Sequence, residues 1–145
     1  LWIGRGAITV SVQRTEVLVR STHLDSLGHV NNVRYLEYME WGRVDWIQSY
    51  MGKFNSDISM VVVSIHINFR REVKLGARLT VLTGLVKLGN SSMTFLQEIV
   101  DENGQRIADA EVVAVLFDTR ERRSRAIHDE LRERLQKLLV ETLEQ

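Results

Sequence analysis

The stretch STHLDSLGHVNN, Ser21 to Asn32, sets an acid, two histidines, a glycine and paired asparagines between an alternating apolar pattern and a long amphipathic one. Asp25 stands just ahead of a predicted helix start, where unpaired N–H groups and the positive end of the macrodipole favour a developing negative charge. A carboxylate facing such donors is what ester or thioester hydrolysis requires. The acid attacks the carbonyl or activates water, and the N–H groups stabilise the oxyanion by about 3 kcal/mol. Gly28 permits close approach of backbone to ligand. The commoner use of Asn31 and Asn32 is simple capping, worth about 1 kcal/mol.

The flanking patterns supply the elements that must position this loop. RTEVLVR alternates with the period of a strand, and from Asn32 the residues Val33, Leu36, Met39 or Glu40, Val44, Ile47 and Met51 recur at helical spacing over about five turns. ISMVVVSIHINFRREV reads as a long strand, with Val61, Val63, Ile65, Ile67 and Phe69 on one face and Val62, Ser64, His66, Asn68 and Arg70 on the other. The stretches ARLTVLTGLVKL, SSMTFLQEIVD and RIADAEVVAVLFD follow as strands joined by short glycine- and Asn/Asp-containing connections. After a charged turn, TRERRSR, a closing helix places Ile127, Leu131, Leu135, Leu138 and Leu139 on one face. A helix against a single antiparallel sheet is a two-layer α+β domain, and a curved five-stranded sheet around a long helix is the hotdog arrangement.

Composition narrows the function. A chain of 145 residues, 44% hydrophobic, buries one core and reads as one domain over 1–145. Lys plus Arg balance Asp plus Glu at 19 each, so no global field favours nucleic acid, and no apolar run approaches a membrane span of ~20 residues. The absence of cysteine excludes disulfides, thiolate metal sites and a cysteine nucleophile and fits a cytoplasmic protein. The lead, about residues 1–12, lacks an initiator Met and a signal-peptide pattern and is expected to be vector-derived, truncated or disordered.

The segment LVRSTHLDSLGHVNNVRYLEYMEWGR resembles the D-x-x-G/Q-H-V-N-N-x-x-Y-L segment of hotdog-fold acyl-CoA thioesterases. The similarity continues through MVVVSIHINFRREVKLGARL, GQRIADAEVVAVLFD and ELRERLQKL, and is closest to the FadM-type long-chain enzymes of the 4-hydroxybenzoyl-CoA thioesterase superfamily. The resemblance implies that Asp25 is the catalytic carboxylate and that backbone N–H groups near Val30 to Asn32 polarise the carbonyl, Asn32 being the best donor. It implies that Gly28, His29, Val30, Asn31 and Tyr35 shape the substrate pocket, and that Asn68, Arg70 and Arg71 contact substrate. It further implies a homodimer or homotetramer with sites at the subunit interface, no metal and no bound cofactor, coenzyme A being part of the substrate. Where such enzymes usually carry RRP or RPA, this chain has Arg70-Arg71-Glu72.

Other residues offer competing readings. Glu40 falls on the helix stripe with Leu36, Val44 and Ile47, so it is expected partly buried, and a desolvated carboxylate suits general base work. The structural alternative pairs it with Arg43 or an opposing subunit. His23 and His29 lack further ligands at metal-binding spacing. The arginines of TRERRSR could meet coenzyme A phosphates, although a charged turn is the common explanation. The expected function is hydrolysis of a medium- to long-chain fatty acyl-CoA to free acid and coenzyme A. The rivals are a hydroxyacyl-thioester hydratase or dehydratase, for which His29 with Glu40 is the nearest imitation, and a non-catalytic acyl-CoA-binding domain.

Overall fold

The computed structural model describes residues 11–52 and 57–144. In chain order the elements are β1 (Gln13–Leu18), a single 3-10 turn (Ser21–His23), α1 (Asn32–Tyr50), β2 (Ile58–Phe69), β3 (Arg78–Leu88), β4 (Ser92–Val100), β5 (Arg106–Asp118), β6 (Arg123–Ser124) and α2 (Asp129–Gln136). The strands form one antiparallel sheet in the order β1-β3-β4-β5-β2, with β6 added to the end of β5. This curved sheet against a long helix is the hotdog architecture expected from the sequence. The sixth strand is the difference: Arg123 and Ser124, expected in a turn, pair with Asp118 and Phe117. Residues 1–10 of the expected irregular lead lie outside the described residues. Ser11 and Val12 are buried, their carbonyls accepting from Trp46 Nε1 (3.2 Å) and the Tyr50 hydroxyl (3.5 Å).

The helix is rotated from its expected phase. Tyr35, Tyr38, Met39, Gly42, Arg43 and Trp46 are buried, whereas Val33 and Val44 are exposed. The aliphatic residues of α1 share one arc of the helix, but Tyr35, Tyr38 and Trp46 lie on the adjoining arc, and that arc faces the sheet. Aromatic residues have the larger area to bury. Trp46 and Tyr38 are fully enclosed, and Trp46 packs edge-to-face on Phe95 of β4. The rotation turns Glu40 outward into solvent, which corrects the expectation of a partly buried acid.

A second shift of phase occurs in β2. Its pairing with β5 slips between Val62 and Ser64, so Val63 is a bulge. Paired residues share a face. Ile65, Ile67 and Phe69 therefore lie over the inner-facing Val112, Ala110 and Ala108, and on the far side of the bulge Val62 and Met60, rather than Val61, join them over Ala114 and Leu116. At the other end of the chain α2 stops at Gln136, short of the expected helix. Ile127 and Leu135 are buried as predicted, but Leu139 bridges to Leu85, and Val140 and Leu143 settle over Gly84. Tertiary packing outweighs local helix propensity there.

A Cβ at Gly42 would lie 2.8 Å from Thr83 Oγ1 and Val81 Cγ1 and 3.0 Å from Gln97 Nε2. Alanine normally gains about 1 kcal/mol over glycine within a helix. Gly42→Ala is expected to lower stability instead, by about 1–3 kcal/mol of overpacking, in urea denaturation; a stabilised variant would show that α1 does not approach the sheet this closely.

Candidate active site

The loop before α1 is built as a small hairpin. Leu24 bridges to Val30 and His29 to Lys74, and the Asp25 and His29 backbones meet through Asp25 N–H to His29 O at 2.7 Å. Gly28 takes φ +82°, where a side chain is strained, and its N–H donates to Asp25 O at 3.1 Å. No atom stands within 4 Å of a Cβ built at Gly28, so conformation rather than crowding demands the glycine. Asp25 Oδ1 accepts from the N–H groups of Leu27 (2.9 Å) and His29 (3.2 Å), which pins the carboxylate over its own turn.

The three N–H groups expected to polarise a carbonyl have different fates. Val30 N–H donates to Val73 O at 2.8 Å and Asn31 N–H to His23 O at 2.9 Å. Asn31 itself caps the helix, its Oδ1 accepting from Val33 N–H at 3.0 Å. Among the described residues only the Asn32 N–H of this trio has no protein acceptor. The expected donor set of Val30 to Asn32 thus contracts to Asn32, because the others hold the loop together.

A cleft of about 330 Å³ brings together Asp25, His29, Val30, Asn32, Tyr35, Arg70 and Arg71, with Phe69 and Glu72 at its edge. Tyr35 donates its hydroxyl to Arg71 O at 3.3 Å and packs on Phe69, and burial pushes its phenol above the usual value, with Glu72 and Asp25 adding to the shift. Glu72, which stands where related enzymes usually have proline or alanine, bonds His29 Nε2 at 2.7 Å. Sequence reasoning missed this pair. The departure from the family pattern was its only signal. Arg70 and Arg71 also line an adjoining basic cleft of about 680 Å³ with Gln105 and Arg106.

Two predicted residues lie elsewhere in this chain. Asn68 alternates with Phe69, so it points to the opposite sheet face, where its Nδ2 donates to Asp109 Oδ1 at 3.0 Å beside His66 and Glu111. Arg70 Nε donates to the same carboxylate, and this bond holds the Asp109 carboxyl below its usual range. Glu40 is outside the cleft, so it forms no pair with His29, and the imitation of a hydratase dyad is not assembled. Three of the four TRERRSR arginines find internal partners: Arg120 with Asp57, Arg125 with Asp118, and Arg122 over the Phe117 ring.

His23 and His29 are likewise separated in role. His23 is buried, its Nδ1 accepting from Arg20 N–H at 3.2 Å and from the Tyr38 hydroxyl at 2.8 Å. Among the described residues no group of three or more His, Asp or Glu is placed to hold a metal ion. No helix among them is long and apolar enough to cross a membrane.

The Asp25 carboxylate and a helix-terminal N–H without a protein acceptor thus line one cleft on a hotdog sheet, an arrangement able to serve thioester hydrolysis. The comparisons agree: a family model described as the thioesterase-like superfamily matches residues 19–135. The chain belongs to this thioesterase family. It is 37% identical over 130 residues to the long-chain acyl-CoA thioesterase FadM of Escherichia coli K12, covering 87% of this chain and 98% of that protein. Among solved structures, the probable thioesterase YbaW from Escherichia coli superposes with a TM-score of 0.74 at 36% identity, covering 88% of this chain and 99% of that one. A predicted thioesterase from Bacillus stearothermophilus gives 0.82 at 26% identity, covering 90% and 98%.

Because Glu40 is exposed, Glu40→Gln is expected to change stability by no more than about 0.5 kcal/mol, the range of ordinary surface substitutions. Its turnover should match the unaltered enzyme in a free-thiol release assay. An inactive, fully stable variant would restore Glu40 as the acid.

Proposed function

We propose that this enzyme hydrolyses medium- to long-chain fatty acyl-CoA, with Asp25 as the catalytic carboxylate and the Asn32 N–H as the oxyanion donor. The observation that carries the reading is that these two groups line one cleft at the start of α1, one carboxylate oxygen being held by the loop and the Asn32 N–H being uncommitted. Asp25 attacks the thioester carbonyl or takes a proton from the attacking water. The C–S bond then breaks and coenzyme A leaves as the thiol, carrying a proton given up by water; in the nucleophilic route that water hydrolyses the acyl–Asp25 anhydride and releases the free acid. This chemistry needs no metal or bound cofactor. Likeness to the long-chain enzyme of Escherichia coli supports the acyl class. Arg71 and Arg106, beside the cleft, supply positive charge suited to the coenzyme A phosphates. The lack of cysteine fits a cytoplasmic location.

Asp25→Asn is expected to lower kcat/KM on palmitoyl-CoA by at least ~10²-fold, the lower range for loss of a positioned acid–base group. Asn32→Pro removes the N–H at a first helical position that tolerates proline, whereas Asn32→Ala retains it. Turnover should fall far more for proline than for alanine, with circular dichroism showing both folded. Equal rates would place the oxyanion donor elsewhere.

We further propose that a second copy of the chain covers β2, making the enzyme a homodimer or a homotetramer of such pairs. β2 is the longer of the sheet's two edge strands, with twelve residues, and it exposes Val61, Val62, Val63, Ile65 and Phe69. Long apolar edges are aggregation hazards unless paired. The Phe69 end of the strand reaches the active cleft, which supports a site completed at the interface. Sedimentation at micromolar concentration should give a dimer or tetramer, and Ile65→Lys should shift it toward monomer with loss of activity. A fully active monomer would contradict the shared site.

A further inference from the structure

His23 is not a cleft-lining residue, yet it touches both sides of the structure that presents the Asn32 N–H. Its ring lies edge-on to Tyr38, with centroids 5.5 Å apart, and 6.3 Å from Trp41, so the imidazole is wedged against α1. Its main-chain carbonyl holds the N–H of Asn31, the residue whose peptide carries the Asn32 N–H. Because Arg20 N–H can only donate, the geometry assigns the lone pair to Nδ1 and the ring proton to Nε2, and the Arg20 N–H and the Tyr38 hydroxyl share that one lone pair.

We propose that His23 is a positioning residue of the thioester site: its neutral imidazole, clamped between the Arg20 N–H and the Tyr38 hydroxyl, sets the carbonyl that orients the Asn31–Asn32 peptide. The inference rests on Asn32 N–H being the oxyanion donor. An oxyanion hole works through fixed geometry, so a small rotation of that peptide costs rate without costing substrate binding. Only an acceptor at the Nδ1 position preserves the clamp. Protonation would set an N–H against the Arg20 N–H and break it.

The surroundings act in the same direction. Burial holds the His23 imidazole below its usual value, Arg34 and Arg20 push it further down, and Glu37 opposes them. A folded-state value lowered in this way means that the unfolded chain binds a proton before the native protein does. The contribution of His23 to stability is therefore present above its ordinary pKa and is lost as pH falls below it.

The test compares His23→Asn, whose Oδ1 reproduces an acceptor near the Nδ1 position, with His23→Gln, whose oxygen lies further out and does not. On palmitoyl-CoA, His23→Gln is expected to lower kcat by at least ~10-fold with KM changed less than ~3-fold, and His23→Asn to recover most of that loss. The acid-side fall of kcat caused by His23 protonation should be missing in His23→Asn. Nitrogen NMR of the unaltered enzyme should show Nδ1 unprotonated and Nε2 protonated at neutral pH. Unchanged kcat in His23→Gln, or a protonated Nδ1 in the unaltered enzyme, would overturn the proposal; the NMR result decides even if both variants fail to fold. A slow Asn32→Pro variant with a normal His23→Gln would overturn this inference alone, whereas a normal Asn32→Pro would overturn the donor assignment on which it rests.

Discussion

Gln97 reaches from the middle of the sheet to the central helix and sets where that helix lies. Fully buried on β4, it donates from Nε2 to Met39 O at 2.8 Å and to Thr83 Oγ1 at 2.9 Å, and its Oε1 accepts from Arg43 Nη1 at 2.9 Å. Its Nε2 also stands within 3.0 Å of where a Gly42 Cβ would be. A bond from sheet to helix backbone fixes depth, rotation and register together, which nonpolar contact alone leaves looser. The position of the helix N-terminus, and so of the donor it presents, follows from this lock.

The lock carries a charge into the interior. Burial pushes the Arg43 guanidinium below its usual value, while the Glu40 charge one turn away works the other way. Removing Gln97 would leave the guanidinium facing an apolar interior, a larger penalty than the loss of one neutral hydrogen bond. Glu40 thus acts on Arg43 from solvent, one turn away, and stands outside the cleft that holds Asp25.

At the other end of the helix the backbone N–H groups are unequally committed. Val30 and Asn31 N–H groups are consumed in holding the loop, the Asn31 side chain satisfies Val33 N–H, and Asn32 N–H remains. The loop's stiffness comes from bonds on both sides of Asp25, and the His29–Glu72 pair ties its far edge to the strand exit. That pair is half exposed, so its value lies in geometry more than in energy. One carboxylate oxygen and one amide stand out because the neighbouring backbone N–H groups of Leu27, His29, Val30, Asn31 and Val33 are already committed.

The order and type of the main elements, the loop ahead of the long helix and the placing of Asp25 within that loop are legible in the sequence, because period, glycine and asparagine placement are local properties of the chain. The family pattern added the chemistry, and the family match agrees with it. The inner face of α1 is not legible, since Tyr35, Tyr38 and Trp46 win it from Val33 and Val44 only when the sheet's pockets are present. Nor is the bulge at Val63, which depends on β5 for its register, or the partner Asp109 that Asn68 meets on its own face of the sheet. Which amide is free, which histidine is buried and what Glu72 does in place of the usual residue are questions of long-range partners. Local sequence sets the candidates, but hydrogen bonds between residues distant along the chain decide among them, because a donor's availability depends on every other group that folding brings within reach.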